Sequence, residues 1–170
     1  MLVANTNNHA LRKVGRCVAV STLAGGINGQ GYADRIGAAS RFNRPWSIEV
    51  DAQGSIFVAN SDNNCLRQVA PSDGAVSTLA GNREEEKDFA DGQGAASRFD
   101  TPLGMALDMD GHLIIANFVN NCIRKVMTAE GHVTTVAWSA FAEKGFADGT
   151  ASTARYNGPL GITVDCNNNI

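Results

Sequence analysis

Residues 89–108 read FADGQGAASRFDTPLGMALD, and close copies stand at 32–51 (YADRIGAASRFNRPWSIEVD) and 146–165 (FADGTASTARYNGPLGITVD). Pro45, Pro102 and Pro159 recur every 57 residues, and Arg41, Arg98 and Arg155 keep the same step. A fixed period of this length marks a stacked or radial repeat architecture, in which no unit buries its apolar face alone. The repeat therefore speaks first about shape.

Outward from that stretch, each period holds four short apolar segments. In the middle copy they are 47–50, 55–60, 65–69 and 75–80, rich in Val, Ile, Leu and Phe and bounded by Gly, Asn, Asp or Pro. Asp51-Ala52-Gln53-Gly54, Asn60-Ser61-Asp62-Asn63-Asn64 and Pro71-Ser72-Asp73-Gly74 join them, with echoes one period later at 108–111, 117–121 and 128–131. Asn, Asp and Gly suit tight turns because they tolerate positive φ or bond their own backbone. Four antiparallel strands, short turns and then a longer passage make a propeller blade, so the fold expected is an all-β propeller.

The longer passage carries Asp34, Asp91 and Asp148, then small residues, then Arg41, Arg98 and Arg155 followed by Phe42, Phe99 and Tyr156. One helical turn is expected there, with the Asp at its positive end and the aromatic in the cleft between blades. A Ca²⁺ loop would need six to eight oxygen ligands, and one Asp per copy falls short of that. Each Arg is expected to brace its own repeat against carbonyls or a carboxylate (Asp34, Asp91 and Asp148, or Asp51, Asp108 and Asp165). A residue repeated in every unit is architectural more often than ligand-binding.

Composition closes several routes. With 14 Lys and Arg against 17 Asp and Glu, a net charge of −3, the chain lacks the basic footprint of a nucleic-acid binder. No apolar stretch approaches the roughly 18–20 residues that cross a bilayer, and the opening MLVANTNNHALRK does not read as a signal peptide. Compartment stays open. Cys65 and Cys122 sit at equivalent positions of neighbouring units, too far apart for a bond that requires Cα atoms within about 7 Å. Cys17 and Cys166 have no partner at matched spacing, so unpaired thiols are expected.

The string Ser-Ile-Phe-Val-Ala-Asn-Ser-Asp-Asn-Asn-Cys-Leu-Arg-Gln-Val at 55–69 resembles an NHL repeat, an apolar strand followed by Ala-Asn and then Asn-x-Ile-Arg-Lys-Val. It recurs at 113–126 and 2–14. The Pro-x-Gly-x-x-[Val/Leu]-Asp strand at 102–108 and 159–165 belongs to the same pattern, with Ser47 where Gly104 and Gly161 stand later. Ser-Thr-Leu-Ala-Gly at 21–25 and 77–81 resembles the long-blade version of the family. The resemblance implies a β-propeller, commonly six-bladed, that works mostly as a binding platform. It does not imply one reaction.

Repeats of about 1–45, 46–102 and 103–159, with 160–170 opening a further blade, give three blades where propellers have four to eight. The remaining blades are expected from the same longer polypeptide or from a second copy, the 160–165 strand of each copy completing the first blade of the other. His9, His112 and His132 occupy different repeat positions, and no zinc, Gly-x-Ser-x-Gly or phosphate-cradling motif occurs. No cofactor is expected. The favoured function is a non-enzymatic protein-interaction scaffold. The alternatives are a lyase- or lactonase-like propeller enzyme with a metal in the central channel, and an RNA-binding module. Specific contacts are sought where the copies disagree: Trp46 replaces Leu103 and Leu160, Trp138 replaces Gly81, and Arg83, Glu84, Glu85 and Glu86 lie in an inter-blade loop whose counterpart is 139–144.

Overall fold

A computed structural model describes residues 1–26, 29–82, 89–138 and 144–170. Among them the regular structure is all β, broken only by three-residue 3-10 turns. The first sheet holds β1 (Leu2–Asn5), β2 (Ala10–Val14) and β3 (Val20–Gly25). The second holds β4 (Pro45–Val50), β5 (Ile56–Asn60), β6 (Cys65–Val69) and β7 (Val76–Ala80). The third runs β9 (Pro102–Leu107), β10 (Leu113–Asn117), β11 (Cys122–Met127) and β12 (His132–Ala137), with the two-residue β8 (Gly92–Gln93) on its outer edge. Sequential strands pair as antiparallel meanders, as short turns require, and β8 adds antiparallel to β12.

The strands within a blade are joined by the expected turn chemistry. Asp51 and Asp108 each accept two backbone N–H bonds, from Gln53 and Ser55 and from Asp110 and His112. A bulge recurs in the last strand pair of every blade, β2–β3, β6–β7 and β11–β12, at Leu11/Arg12, Leu66/Arg67 and Ile123/Arg124. Bulges bend a strand and re-aim a side chain, and each of these falls beside an arginine.

Apolar cores lie between sheets rather than within them. Leu11 and Ala24 of the first sheet meet Ile56, Val58, Val69 and Val76 of the second around Phe42. Phe57, Leu66 and Ala80 meet Met105, Leu113, Ile115, Val126 and Val133 around Phe99. Each of those rings is fully buried, a contribution of about 2–3 kcal/mol by area. Tyr156 packs in the same manner on Ile114, Ala116 and Ile123 of the third sheet.

Two expectations change. The turns at Gly37–Ala39 and Gly94–Ala96 begin after Ile36 and Gln93 and have no side-chain cap, so Asp34 and Asp91 do not cap them. Their carboxylates are drawn instead to buried guanidinium groups. Residues 160–165 form no strand, pairing with no segment among the described residues, and Leu160 O runs against Gly104, where a Cβ would collide at 2.3 Å.

Candidate functional site

Two groups of residues stand out, one binding the blades to each other and one left open on a rim. The first is built on the third strand of each blade. Arg67 Nη1 donates to Arg41 O (3.1 Å), and its Nη2 donates to Ala33 O (3.1 Å) and the Asp34 carboxylate. Arg124 repeats the set on Arg98 O (3.0 Å), Ala90 O (2.7 Å) and Asp91 Oδ1 (2.7 Å). Tyr32 and Phe42 lie 4.7 and 5.3 Å from the Arg67 guanidinium carbon, and Phe89 and Phe99 lie 4.6 and 5.2 Å from that of Arg124. Both arginine side chains are 0% exposed. Asp34 also accepts from Thr78 N and Oγ1, and Asp91 from Thr135 N and Oγ1. Burial lowers the affinity of Arg124 for its proton, with Cys122 and Asp91 working against that shift.

Arg41 plays a smaller part than the arginines that follow it by 26 residues. Its Nη1 donates to Ala38 O and Ser40 O (both 2.8 Å), within its own turn, while its carbonyl receives Arg67. Arg98 offers its carbonyl to Arg124 in the same way. Sequence reasoning passed over Arg67 and Arg124 because they sit inside an apolar strand string, although the two recur at the 57-residue step.

The second group lies at the end of the blades where the second strand turns into the third. Those turns end on His9, Asn64 and Asn121, all left-handed (φ 52, 51 and 53°). Their side chains accept from the next blade: His9 Nδ1 from Arg44 N (3.1 Å), Asn64 Oδ1 from Thr101 N (2.9 Å), Asn121 Oδ1 from Gly158 N (2.8 Å). His9 thus does the work of an Asn, with its proton on Nε2. Thr6 Oγ1 donates to Pro45 O (2.9 Å) and Ser61 Oγ to Pro102 O (2.7 Å), whereas Phe118 holds that position in the third blade.

This latching fixes the first residues of the innermost strands at the rim. Trp46 there is 43% exposed, while of its counterparts Leu103 is 7% exposed and Leu160, which opens the last copy, is 48% exposed. Phe118 and Val119 are exposed on the same rim, where the first two copies carry Thr6-Asn7 and Ser61-Asp62. The register Ile123↔Ala137 brings Trp138 to this end of the third blade, at its outer strand. It is partly buried: its N–H donates to Ala151 O (2.8 Å) and its ring stacks on Phe89 at 5.0 Å and 24°. Trp46 belongs to the innermost strand and Trp138 to the outer edge of a different blade. Arg83, Glu84, Glu85 and Glu86 lie outside the described residues. Phe118 was legible in principle, as an aromatic in a turn whose other copies are hydroxyls.

Among the described residues no group of three His, Cys, Asp or Glu side chains is placed to hold a metal ion, and no disulfide forms. Among the described residues no helix is long and apolar enough to cross a membrane.

Residues 42–69 match the model of the NHL repeat. The chain is 28% identical over 153 residues to NHL repeat-containing protein 2 of Homo sapiens, a match covering 81% of this chain and 20% of that protein. It thus spans about a fifth of the length of the curated relatives it matches. Among solved structures, an auxiliary nutrient binding protein from Bacteroides thetaiotaomicron superposes with a TM-score of 0.77 at 18% identity, over 98% of this chain and 40% of that one. Virginiamycin B lyase from Staphylococcus aureus superposes with a TM-score of 0.63 at 12% identity, over 98% and 42%. Likenesses at these identities carry the fold, an all-β propeller arrangement, and nothing of either protein's ligand.

Proposed function

The chain belongs to the NHL-repeat family, and from that premise we propose that it is a non-enzymatic protein-interaction scaffold whose contact surface is the rim bearing Trp46, Phe118 and Val119. The carrying observation is the exposure of Trp46 at a position where the equivalent Leu103 is buried. A rim position that every blade needed only for packing would be small or aliphatic throughout. Trp46, Phe118 and Val119, which differ between copies, all face solvent on this rim, beside backbone latches that repeat. Aromatic residues on a rigid frame lose little conformational freedom on binding and dominate interface energetics. Trp138 extends the same surface in this reading, since the fourth strand of the third blade ends beside this rim (Ile123↔Ala137).

A photo-crosslinking residue placed at Trp46, compared with one at Met109 on the opposite turns, tests the proposal. A partner captured from native extract only at position 46 should bind the purified chain. Trp46→Ala or Phe118→Ala should then weaken that binding by about 10- to 100-fold while the unfolding midpoint stays within error. Equal capture at both positions, or loss of stability with binding intact, would reject the rim as a contact surface and leave Trp46 a packing residue.

A further inference from the structure

The three latches that fasten blades on the rim differ in one chemical respect. Asn64 Oδ1 accepts from Thr101 N and Asn121 Oδ1 from Gly158 N, through amide oxygens that remain acceptors whatever the pH. His9 holds Arg44 N with an imidazole nitrogen instead, at 3.1 Å. That nitrogen accepts only while it carries no proton. In the charged ring both nitrogens are donors, so neither the original orientation nor a flipped one offers Arg44 an acceptor. A contact between two donors replaces the bond.

The titratable latch also lies beside the exposed tryptophan. Arg44 is left-handed (φ 49°), a conformation that crowds any residue with a Cβ, and the bond from its N–H to His9 helps to hold it there. The same conformation recurs at Thr101 (φ 56°) and Gly158 (φ 64°), under the two amide latches. One residue past Arg44 the first blade adds a second tie, Thr6 Oγ1 donating to Pro45 O (2.9 Å), and the next side chain is Trp46. Charged groups on the segments that meet His9 are few. Its own turn, Thr6–Asn8, carries none, and neither do the side chains of β1 and β3. Arg12 of β2 lies on Ser21 O, and Arg41 is turned into its own passage on Ala38 O and Ser40 O. Arg44 is exposed, as is Asp62 on the second-blade turn, whose N–H donates to Asn43 O. Among the described residues no ion pair joins His9 to any of them.

We propose that this latch is a proton switch on the rim: a proton on His9 releases Arg44 N–H, and the start of β4 that presents Trp46 loosens. The proposal rests on the rim as the contact surface and names its regulation. With the ring neutral, Arg44 and Pro45 are both tied to the first blade, so the indole meets a partner already ordered. With the ring charged, only the Thr6 bond remains of those two ties, and the left-handed backbone at Arg44 relaxes. The partner must then order the strand end itself, a cost that emerges as weaker binding. Affinity therefore falls as pH falls through the range in which imidazoles take a proton, roughly pH 6–7. The two asparagine latches stay closed over the same range.

Amide resonances of the whole chain, followed by NMR from about pH 7.5 to about pH 5.5, test the switch without any partner. The Arg44 N–H should shift along with protonation of the His9 ring, while the Thr101 and Gly158 N–H groups stay in place. In His9→Asn, which installs the residue of the other two latches, the Arg44 N–H should stay as well. An Arg44 N–H that ignores the proton on His9, or that moves equally in His9→Asn, would overturn the proposal. The second arm uses the protein captured through position 46. It should bind the wild type about 5-fold more weakly at the lower pH, the worth of one hydrogen bond, and bind His9→Asn equally at both. His9→Ala should bind weakly throughout. A wild-type loss shared by His9→Asn places the titrating group elsewhere and overturns the regulation. If nothing is captured at position 46, the rim reading and the affinity change fall together, and the Arg44 N–H alone decides the latch.

Discussion

Arg67 and Arg124 show how a single side chain holds two distant segments of this chain together. Each guanidinium is fully desolvated, and that cost is offset by two backbone carbonyls, one carboxylate and two aromatic faces. Arg67→Met keeps much of the apolar stem but abandons Ala33 O, Arg41 O and Asp34. It is expected to lower unfolding stability by about 2–3 kcal/mol, measured by urea denaturation. Asp34→Asn should cost less, because that carboxylate is half exposed and water replaces the lost partner. The cysteines give a second residue-scale expectation. Cys122 is buried, and burial pushes its thiol up despite the nearby Arg124 and the Asn117 amide at 3.7 Å, so little thiolate forms. Cys65 is equally buried, while Cys17 and Cys166 are exposed. A maleimide should label two thiols quickly and the other two only after denaturant, as read by intact mass; a third fast site would contradict the described burial.

The element that most repays its length is the passage between blades. Its 3-10 turn is short and uncapped by acid, and it is held by serine rather than aspartate. Ser40 Oγ donates to Gly37 O (2.6 Å) and accepts from Gly25 N (2.8 Å); Ser97 Oγ does the same with Gly94 O (2.7 Å) and Gly81 N (3.0 Å). One hydroxyl thereby ties the turn to the end of the previous fourth strand. The glycine at that end is required by geometry. At Gly81 (φ +93°) a Cβ would lie 2.6 Å from Asn64 O and 2.8 Å from Cys65 Cα. Ser97→Ala is expected to cost about 1–2 kcal/mol, seen as a lower thermal midpoint, with Ser97→Thr losing less. In the third passage Ala154 replaces the serine and Trp138 the glycine, so that turn is closed by Thr153 Oγ1 accepting from Thr150 N (2.8 Å) and by Trp138 N–H donating to Ala151 O. The existence of a turn here was legible from its Gly, Ala and Ser; that Asp34 and Asp91 would ignore it was not, because their partners lie 33 residues further along the chain.

For the molecule as a whole, stability should depend on acid through at least one pair joining the inner and third strands of the last blade. Burial raises the cost of ionising Asp108, but the Lys125 ammonium at 2.7 Å and the His112 N–H outweigh it and hold the carboxyl below its usual range. A carboxylate depressed in the folded state adds stability above its unfolded value, near 3.9, and that stability is lost as pH falls through the folded value. Urea midpoints should therefore drop below about pH 4. In Lys125→Gln the unfolding free energy should be lower at neutral pH, by about 1–2 kcal/mol, and the urea midpoint should fall less on acidification. An acid dependence identical to the wild type would remove Asp108 from the account. The sequence by itself determined the blades, their order and the position of nearly every strand, because alternation, turn chemistry and a 57-residue period are local properties of the chain. Phe42 and Phe99 as plugs between blades followed from the same period. Only the tertiary structure decided which carboxylate meets which guanidinium, that His9 substitutes for an asparagine latch, and that Trp46 faces water where Leu103 does not. Those outcomes depend on the stacking of one blade against the next, which brings together groups that sequence spacing leaves tens of residues apart.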